Sequence, residues 1–115
     1  LKHEGYNNGV SDLLNHNHHI NVHCNRKPEI TEIKVNMRTL NSICEFIGIK
    51  KIDILSVDVE GYELDVLRGF YLSVYTPKVV ILENFTKTIE YTDYMNTHGY
   101  KLDCKVAHND IYIKA

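Results

Sequence analysis

Three carboxylates stand where a chain of this kind can do chemistry. Asp58 and Glu60 close the apolar run that starts at Ile52, and Glu83 closes the run Val79-Val80-Ile81-Leu82. Each run predicts a β-strand, so each acid lies at the carboxyl end of a strand. In open α/β sheets, ligands bind in the crevice beyond those ends. Acids placed there escape the desolvation of mid-strand positions, and they converge where they can hold a hydroxyl or take its proton. Gly61 follows, letting the chain turn sharply into a helix and leaving room for a ligand against the backbone. A plainer role competes with this one. Acids after a strand also cap the next helix and complement its dipole, a role open to Glu60 and Glu63. Three acids on two neighbouring strand ends tilt the balance toward a site.

The elements that must position these acids are legible from residue 31 onward. Residues 1–30 are rich in Asn, His and Gly and predict an irregular loop region, with one short helical turn near Ser11 to Leu14. Ile33 and Val35 alternate with polar residues, which predicts a strand over Thr31 to Asn36. Thr39 reads as an N-cap, Leu40, Ile43, Cys44 and Ile47 recur at helical spacing, and Gly48 closes that helix. Ile52 to Val59 then predicts a strand apolar enough to be covered on both faces. In the helix that follows, Leu64, Leu67 and Tyr71 share one face with Val66 and Phe70 beside them, while Glu63, Asp65 and Arg68 point outward and Gly69 marks a break. Pro77 ends the connection, and Val79 to Leu82 predicts a second buried strand. A helix-containing crossover of this length implies that the two strands are parallel. A helix from about Ile89 to Thr97, stopped by Gly99, precedes two strands, Lys101 to Val106 and Asp110 to Lys114. Their short junction at His108 and Asn109 makes them antiparallel. The order is that of an α/β chain forming the second half of a doubly wound sheet, with its last strand reversed.

Composition narrows the function. The 115 residues are 43% hydrophobic and 24% charged, ordinary for a globular domain, with a formal net charge of −2. No basic field recruits phosphate backbones, so nucleic acid is not the expected partner. The longest apolar run is far too short to span a bilayer. Cys24, Cys44 and Cys104 lack CxxC spacing, which predicts buried or half-buried thiols in a reducing, cytoplasmic setting rather than disulfides or zinc. His16, His18, His19 and His23 cluster beside Cys24, but they match no zinc spacing and sit in Asn-rich sequence that reads as a surface or substrate-facing loop. His98 reads as a cation at a helix carboxyl terminus and His108 as a turn residue. Tyr62 and Tyr100 are candidates for lining an acceptor pocket.

Several segments together resemble the FkbM family of methyltransferases. Thr39-Leu40 matches the pair that opens a helix in that family. Ile52 to Gly69, reading IDILSVDVEGYELDVLRG, resembles its central strand-turn-helix. Pro77 with Val79 to Glu83 is similar to its next strand, and Gly99-Tyr100 and Asn109-Asp110-Ile111-Tyr112 to its closing segment. Gly9-Val10-Ser11 before Leu13 matches an earlier stretch, with Asp12 in place of a serine. Ser56 stands where the family usually has lysine, and no GxG occurs anywhere in the chain.

The resemblance implies a Rossmann-like α/β fold, the carboxyl-terminal half of a class I methyltransferase domain. It implies S-adenosylmethionine as methyl donor, held mainly by a glycine-rich loop and ribose-binding acid that these residues do not include. The chain is thus expected to be a piece of an enzyme rather than an enzyme by itself. By the same resemblance the acceptor is a hydroxyl on a sugar, glycolipid or related small molecule. Asp58 would lie nearest the donor, with Gly61 beside it in the cofactor crevice, while Glu60 and Glu83 would face the acceptor. A divalent metal held by these acids is possible, yet carboxylates bind sugar hydroxyls without one, and no metal ligand is assigned. Two other readings compete: a degenerate α/β module that binds a partner or glycan without catalysis, and a metal-binding protein built on the histidine cluster.

Overall fold

The structure is a computed structural model that describes residues 29–115. The chain divides between Asn36 and Met37, and the second unit, Met37–Ala115, holds every helix and strand among the described residues. The irregular region over residues 1–28, with the histidine cluster, Cys24 and the turn near Ser11, lies outside the described residues.

The strand expected over Thr31 to Asn36 does not form. Alternation signals a strand only when it buries one face, and here Ile33 and Val35 are 67% and 58% exposed. Helix α1, Leu40–Ile47, begins and ends where its punctuation places it. The Thr39 hydroxyl accepts the Ser42 N–H at 3.1 Å. At the other end the Gly48 N–H donates to the carbonyls of Cys44 and Glu45.

Strand β1, Ile54–Val57, is shorter than the apolar run that announces it. The crossover after it is two short helices, α2 (Glu63–Arg68) and α3 (Leu72–Tyr75), parted near Gly69. Gly69 is where the start of α1 meets the end of α2. Its carbonyl accepts the Asn41 N–H at 2.9 Å, and a Cβ there would lie 3.2 Å from Thr39 Cβ. The break turns Phe70 into the core, 3% exposed, and leaves Tyr71 55% exposed instead of on the buried face. Asp65 and Arg68 do point outward, joined by a 2.9 Å ion pair.

Strand β2, Val79–Glu83, helix α4, Glu90–Thr97, and the hairpin β3 (Tyr100–Val106) and β4 (Asn109–Lys114) complete the unit. β1 and β2 are parallel, in register from Ile54↔Val79 to Val57↔Leu82. The hairpin turns at Ala107 and His108, and β4 returns between β2 and β3, antiparallel to both. The result is a mixed four-stranded sheet of order β1-β2-β4-β3.

One face of this sheet carries the core. Leu55, Val57, Val80, Leu82 and Tyr112 pack with Leu67, Leu72, Tyr75, Tyr91 and Met95. The opposite face departs from expectation. The row Ile54–Val79–Ile113 runs across three strands, with Ile54 63% and Ile113 41% exposed. An unbroken apolar strand is compatible with cover on both faces, but here only one is covered by the described residues. Tyr100, expected near an acceptor, is fully buried and donates its hydroxyl to the Pro77 carbonyl at 2.7 Å. Cys44 is buried as expected, whereas Cys104 is exposed beside the irregularity in β3 between Leu102 and Cys104.

Candidate functional site

Asp58 and Glu83 are neighbours because their strands are. Each follows, by one residue, the last parallel pair, Val57↔Leu82. The third acid that joins them is Glu63 rather than Glu60. Carboxylate oxygens of Asp58, Glu63 and Glu83 all lie within 4.8 Å of one another. Asp58 is exposed, Glu83 half-buried and Glu63 fully buried.

The position of Glu63 corrects the outward placement expected from the helical pattern. Its Oε1 accepts the backbone N–H groups of Val59 at 3.0 Å and Gly61 at 3.3 Å. Its Oε2 accepts the Tyr91 hydroxyl at 2.5 Å. Three donors on one carboxylate offset the desolvation that would otherwise keep it in solvent. Glu63 therefore caps the turn that leads into α2, the plainer of the roles foreseen for it. An acid in the first turn of a helix behind a glycine is the sequence signal for such a look-back bond.

Glu60 behaves differently. It sits at φ +55 and the next residue, Gly61, at φ +97, so the turn takes two successive left-handed residues. The left-handed region costs a non-glycine residue on the order of 1 kcal/mol. Glu60 is exposed, and the residue that caps α2 is Tyr62, without a side-chain hydrogen bond. Among the described residues nothing lies within 4 Å of where a Gly61 Cβ would stand, so they leave the backbone there open to approach.

Crowding of like charge sets the electrostatics. The hydrogen-bonding contact with Asp58 is the chief reason that Glu83 binds its proton more tightly than an ordinary glutamate; partial burial and the charges of Asp58, Glu60 and Glu63 add to it. A carboxyl whose folded pKa is raised favours the native state while protonated, so that stabilisation is lost as pH climbs from 4.5 through the raised value. Carbon-detected NMR of the Glu83 carboxyl is expected to give a midpoint above 4.5. Asp58→Asn should bring it down; an unchanged midpoint would show that Asp58 is not the cause.

The segment after Glu83 is held by buried polar groups. The Asn84 amide donates to the Asp110 carboxylate at 2.7 Å and to the Thr88 carbonyl at 2.9 Å, and its oxygen accepts the Thr88 N–H at 2.9 Å. Lys105 pairs with the buried Asp110 at 3.1 Å. The Tyr112 hydroxyl donates to Asp110 at 3.3 Å, and burial is the main reason its pKa is pushed up to about 12. The sequence places Asn109-Asp110 in a hairpin and in the segment that resembles the family's closing stretch, but does not reveal this buried network. Phe85 stands 69% exposed on this segment, its ring 4.8 Å from that of His108, which is indeed a turn residue. His98 stacks on Tyr94 and approaches the Tyr94 carbonyl at 2.9 Å, the place of a group at a helix carboxyl end. A groove of about 420 Å³ lies between α2 and α4, lined by Leu64, Arg68, Glu90, Asp93, Tyr94 and Thr97. None of the strand-end acids lines it. No helix among the described residues is long and apolar enough to cross a membrane.

Chemically, the arrangement offers a surface acid, Asp58, beside a more basic carboxylate, Glu83, above a turn locked from beneath by Glu63. It suits orienting a hydroxyl and receiving its proton. Residues 3–102 match the family model described as the methyltransferase FkbM domain. No curated protein and no solved structure matches the chain.

Proposed function

Because this chain belongs to the FkbM methyltransferase family, we propose that it carries the acceptor side of an S-adenosylmethionine-dependent O-methyltransferase. The acceptor in this reading is a hydroxyl of a sugar, glycolipid or related small molecule, and the setting is cytoplasmic. The sheet order, with β4 reversed between β2 and β3, supports reading the fold as the carboxyl-terminal half of a class I methyltransferase sheet. The observation that carries the proposal is the pairing of Asp58 with a Glu83 of raised proton affinity at adjacent strand ends.

When bound, S-adenosylmethionine supplies a methyl group on a cationic sulfur. The residues here fit such a group. Asp58 is an exposed negative charge at the strand end, and the open backbone at Gly61 permits close approach. The glycine-rich loop that would hold most of the cofactor is not among these 115 residues. Methyl transfer forms a carbon–oxygen bond and breaks a carbon–sulfur bond, whose electron pair stays on sulfur. Glu83 takes the hydroxyl proton, Asp58 orients the reacting groups, and Glu60 reaches a further hydroxyl of the acceptor.

The reaction in this reading runs without a metal. Hard cations favour sets of carboxylate oxygens. On Glu63, however, Oε1 already accepts two N–H groups and Oε2 a hydroxyl, so Asp58 and Glu83 are the less engaged donors of the three. A magnesium ion at this place would draw mainly on those two.

The test uses methyl-labelled S-adenosylmethionine with a panel of saccharides, glycolipids and simple alcohols. Label is expected in a methyl ether of a hydroxylated acceptor. Glu60→Gln should cut turnover by about two orders of magnitude, the scale of a lost acid–base or acceptor-holding group, with melting little changed. Full turnover in that variant would reduce Glu60 to a turn residue. Labelled amines or carboxylates in place of ethers would refute the hydroxyl acceptor.

A further inference from the structure

We propose that Tyr91 is a positioning residue for this site: acting through Glu63, its hydroxyl fixes the strand-to-helix turn that sets Asp58 against Glu83. The proposal rests on the methyl-transfer reading of those two acids. Tyr91 lies 28 residues beyond Glu63, in the first turn of α4, with its ring in the core and 5% of its surface exposed. It gives its hydroxyl hydrogen to Glu63 Oε2, a carboxylate with no exposure. The other oxygen of that carboxylate holds the N–H groups of Val59 and Gly61. Those two residues bracket Glu60 in its left-handed conformation, and Asp58 directly precedes them.

The chain of contact therefore runs from α4, through one hydroxyl and one carboxylate, to the backbone that aims Asp58. A carboxylate with a single rotatable end can grip two N–H groups at once only if its plane is fixed. Within the described residues, Tyr91 is the side chain that donates to its second oxygen. Without that donor, Glu63 is free to rotate about its terminal bond and to leave one of the two amides unpaired. The turn would then relax around the strained Glu60, and the separation of Asp58 from Glu83 would vary. Such a residue never touches substrate, yet it sets how much of the time the two acids are arranged to react.

Tyr91→Phe removes the hydroxyl and keeps the ring, and the control is Tyr100→Phe. Tyr100 is equally buried, but its hydroxyl serves the Pro77 carbonyl just before β2. Two measurements apply to the protein as it is made in the cell and to its variants. In amide hydrogen exchange, Val59 and Gly61 should exchange about tenfold faster in Tyr91→Phe, the scale of one hydrogen bond. Val80, Leu82 and Tyr112 should keep their wild-type rates, and Tyr100→Phe should leave Val59 and Gly61 untouched. In the methyl-transfer assay, kcat should fall about tenfold in Tyr91→Phe with KM for S-adenosylmethionine unchanged, the signature of lost arrangement rather than lost binding. Unchanged exchange at Val59 and Gly61 would overturn the proposal. Equal acceleration of the core amides would do the same, because it would make Tyr91 a general packing residue. If the wild type transfers no methyl group to any acceptor, the methyl-transfer reading fails on that count alone, while exchange still decides whether Tyr91 holds the turn.

Discussion

Asp58→Asn is expected to lower methyl transfer by two orders of magnitude or more, with a melting temperature within a few degrees of wild type. Asp58 is exposed and outside the core, so a change of nearly identical shape should cost about 1 kcal/mol or less. Its effect on rate has two sources that act in the same direction. The charge that orients the reacting groups is removed. At the same time Glu83 loses the neighbour chiefly responsible for its raised proton affinity, and becomes a weaker base. Turnover at saturating donor and acceptor is the measurement, and a rate within a few-fold of wild type would take Asp58 out of the chemistry.

Glu63 should show the opposite profile, a large loss of stability. Glu63→Ala leaves the part-buried Val59 and Gly61 N–H groups and the buried Tyr91 hydroxyl without their acceptor. At about 1 kcal/mol for each orphaned donor, the variant should lose on the order of 3 kcal/mol. That corresponds to a melting point lower by roughly 15 °C for a domain of this size. Glu63→Gln retains an oxygen for the two amides and turns its NH2 toward the Tyr91 oxygen, so its loss should be about 1 kcal/mol. Thermal and urea melts of both variants check this order. Equal losses would mean that the hydrogen bonds are not what makes Glu63 necessary.

The contrast between these two acids shows what could be read in the sequence. Strand ends were legible because an apolar run followed by an acid has few other structural meanings, and Asp58 and Glu83 do meet across β1 and β2. α1 was legible because Thr39 and Gly48 satisfy its terminal groups locally, with no help from distant residues. The burial of Glu63 was not, because it depends on Tyr91, a partner 28 residues away that no helical periodicity reveals. Periodicity alone turned Glu63 to solvent; three donors turn it inward. Tyr71 misled in the same way, since the break near Gly69 resets the helical phase. The alternation at Ile33 and Val35 was a pattern without burial, and a strand pattern has force only when there is a core for one face to meet. The insertion of β4 between β2 and β3 was hidden too: a short hairpin fixes that β3 and β4 pair, but not which of them lies against β2.

That insertion governs the order in which the sheet can be assembled during synthesis. Translation delivers β1, β2 and β3 before Asn109–Lys114, yet β2 and β3 do not pair with each other; each waits for β4. On the ribosome the emerging chain can close only the β1–β2 pair, with the β2 edge still offering unpaired N–H and C=O groups to any passing strand. Completion is then a single late event, in which β4 slides into the gap and joins two unconnected parts into one sheet. Long-range pairing of this kind is slow relative to helix formation. A ribosome that pauses before Asn109 would therefore hold a chain in which β1, β2 and β3 are made but only two of the four strands are paired, the form most in need of a chaperone.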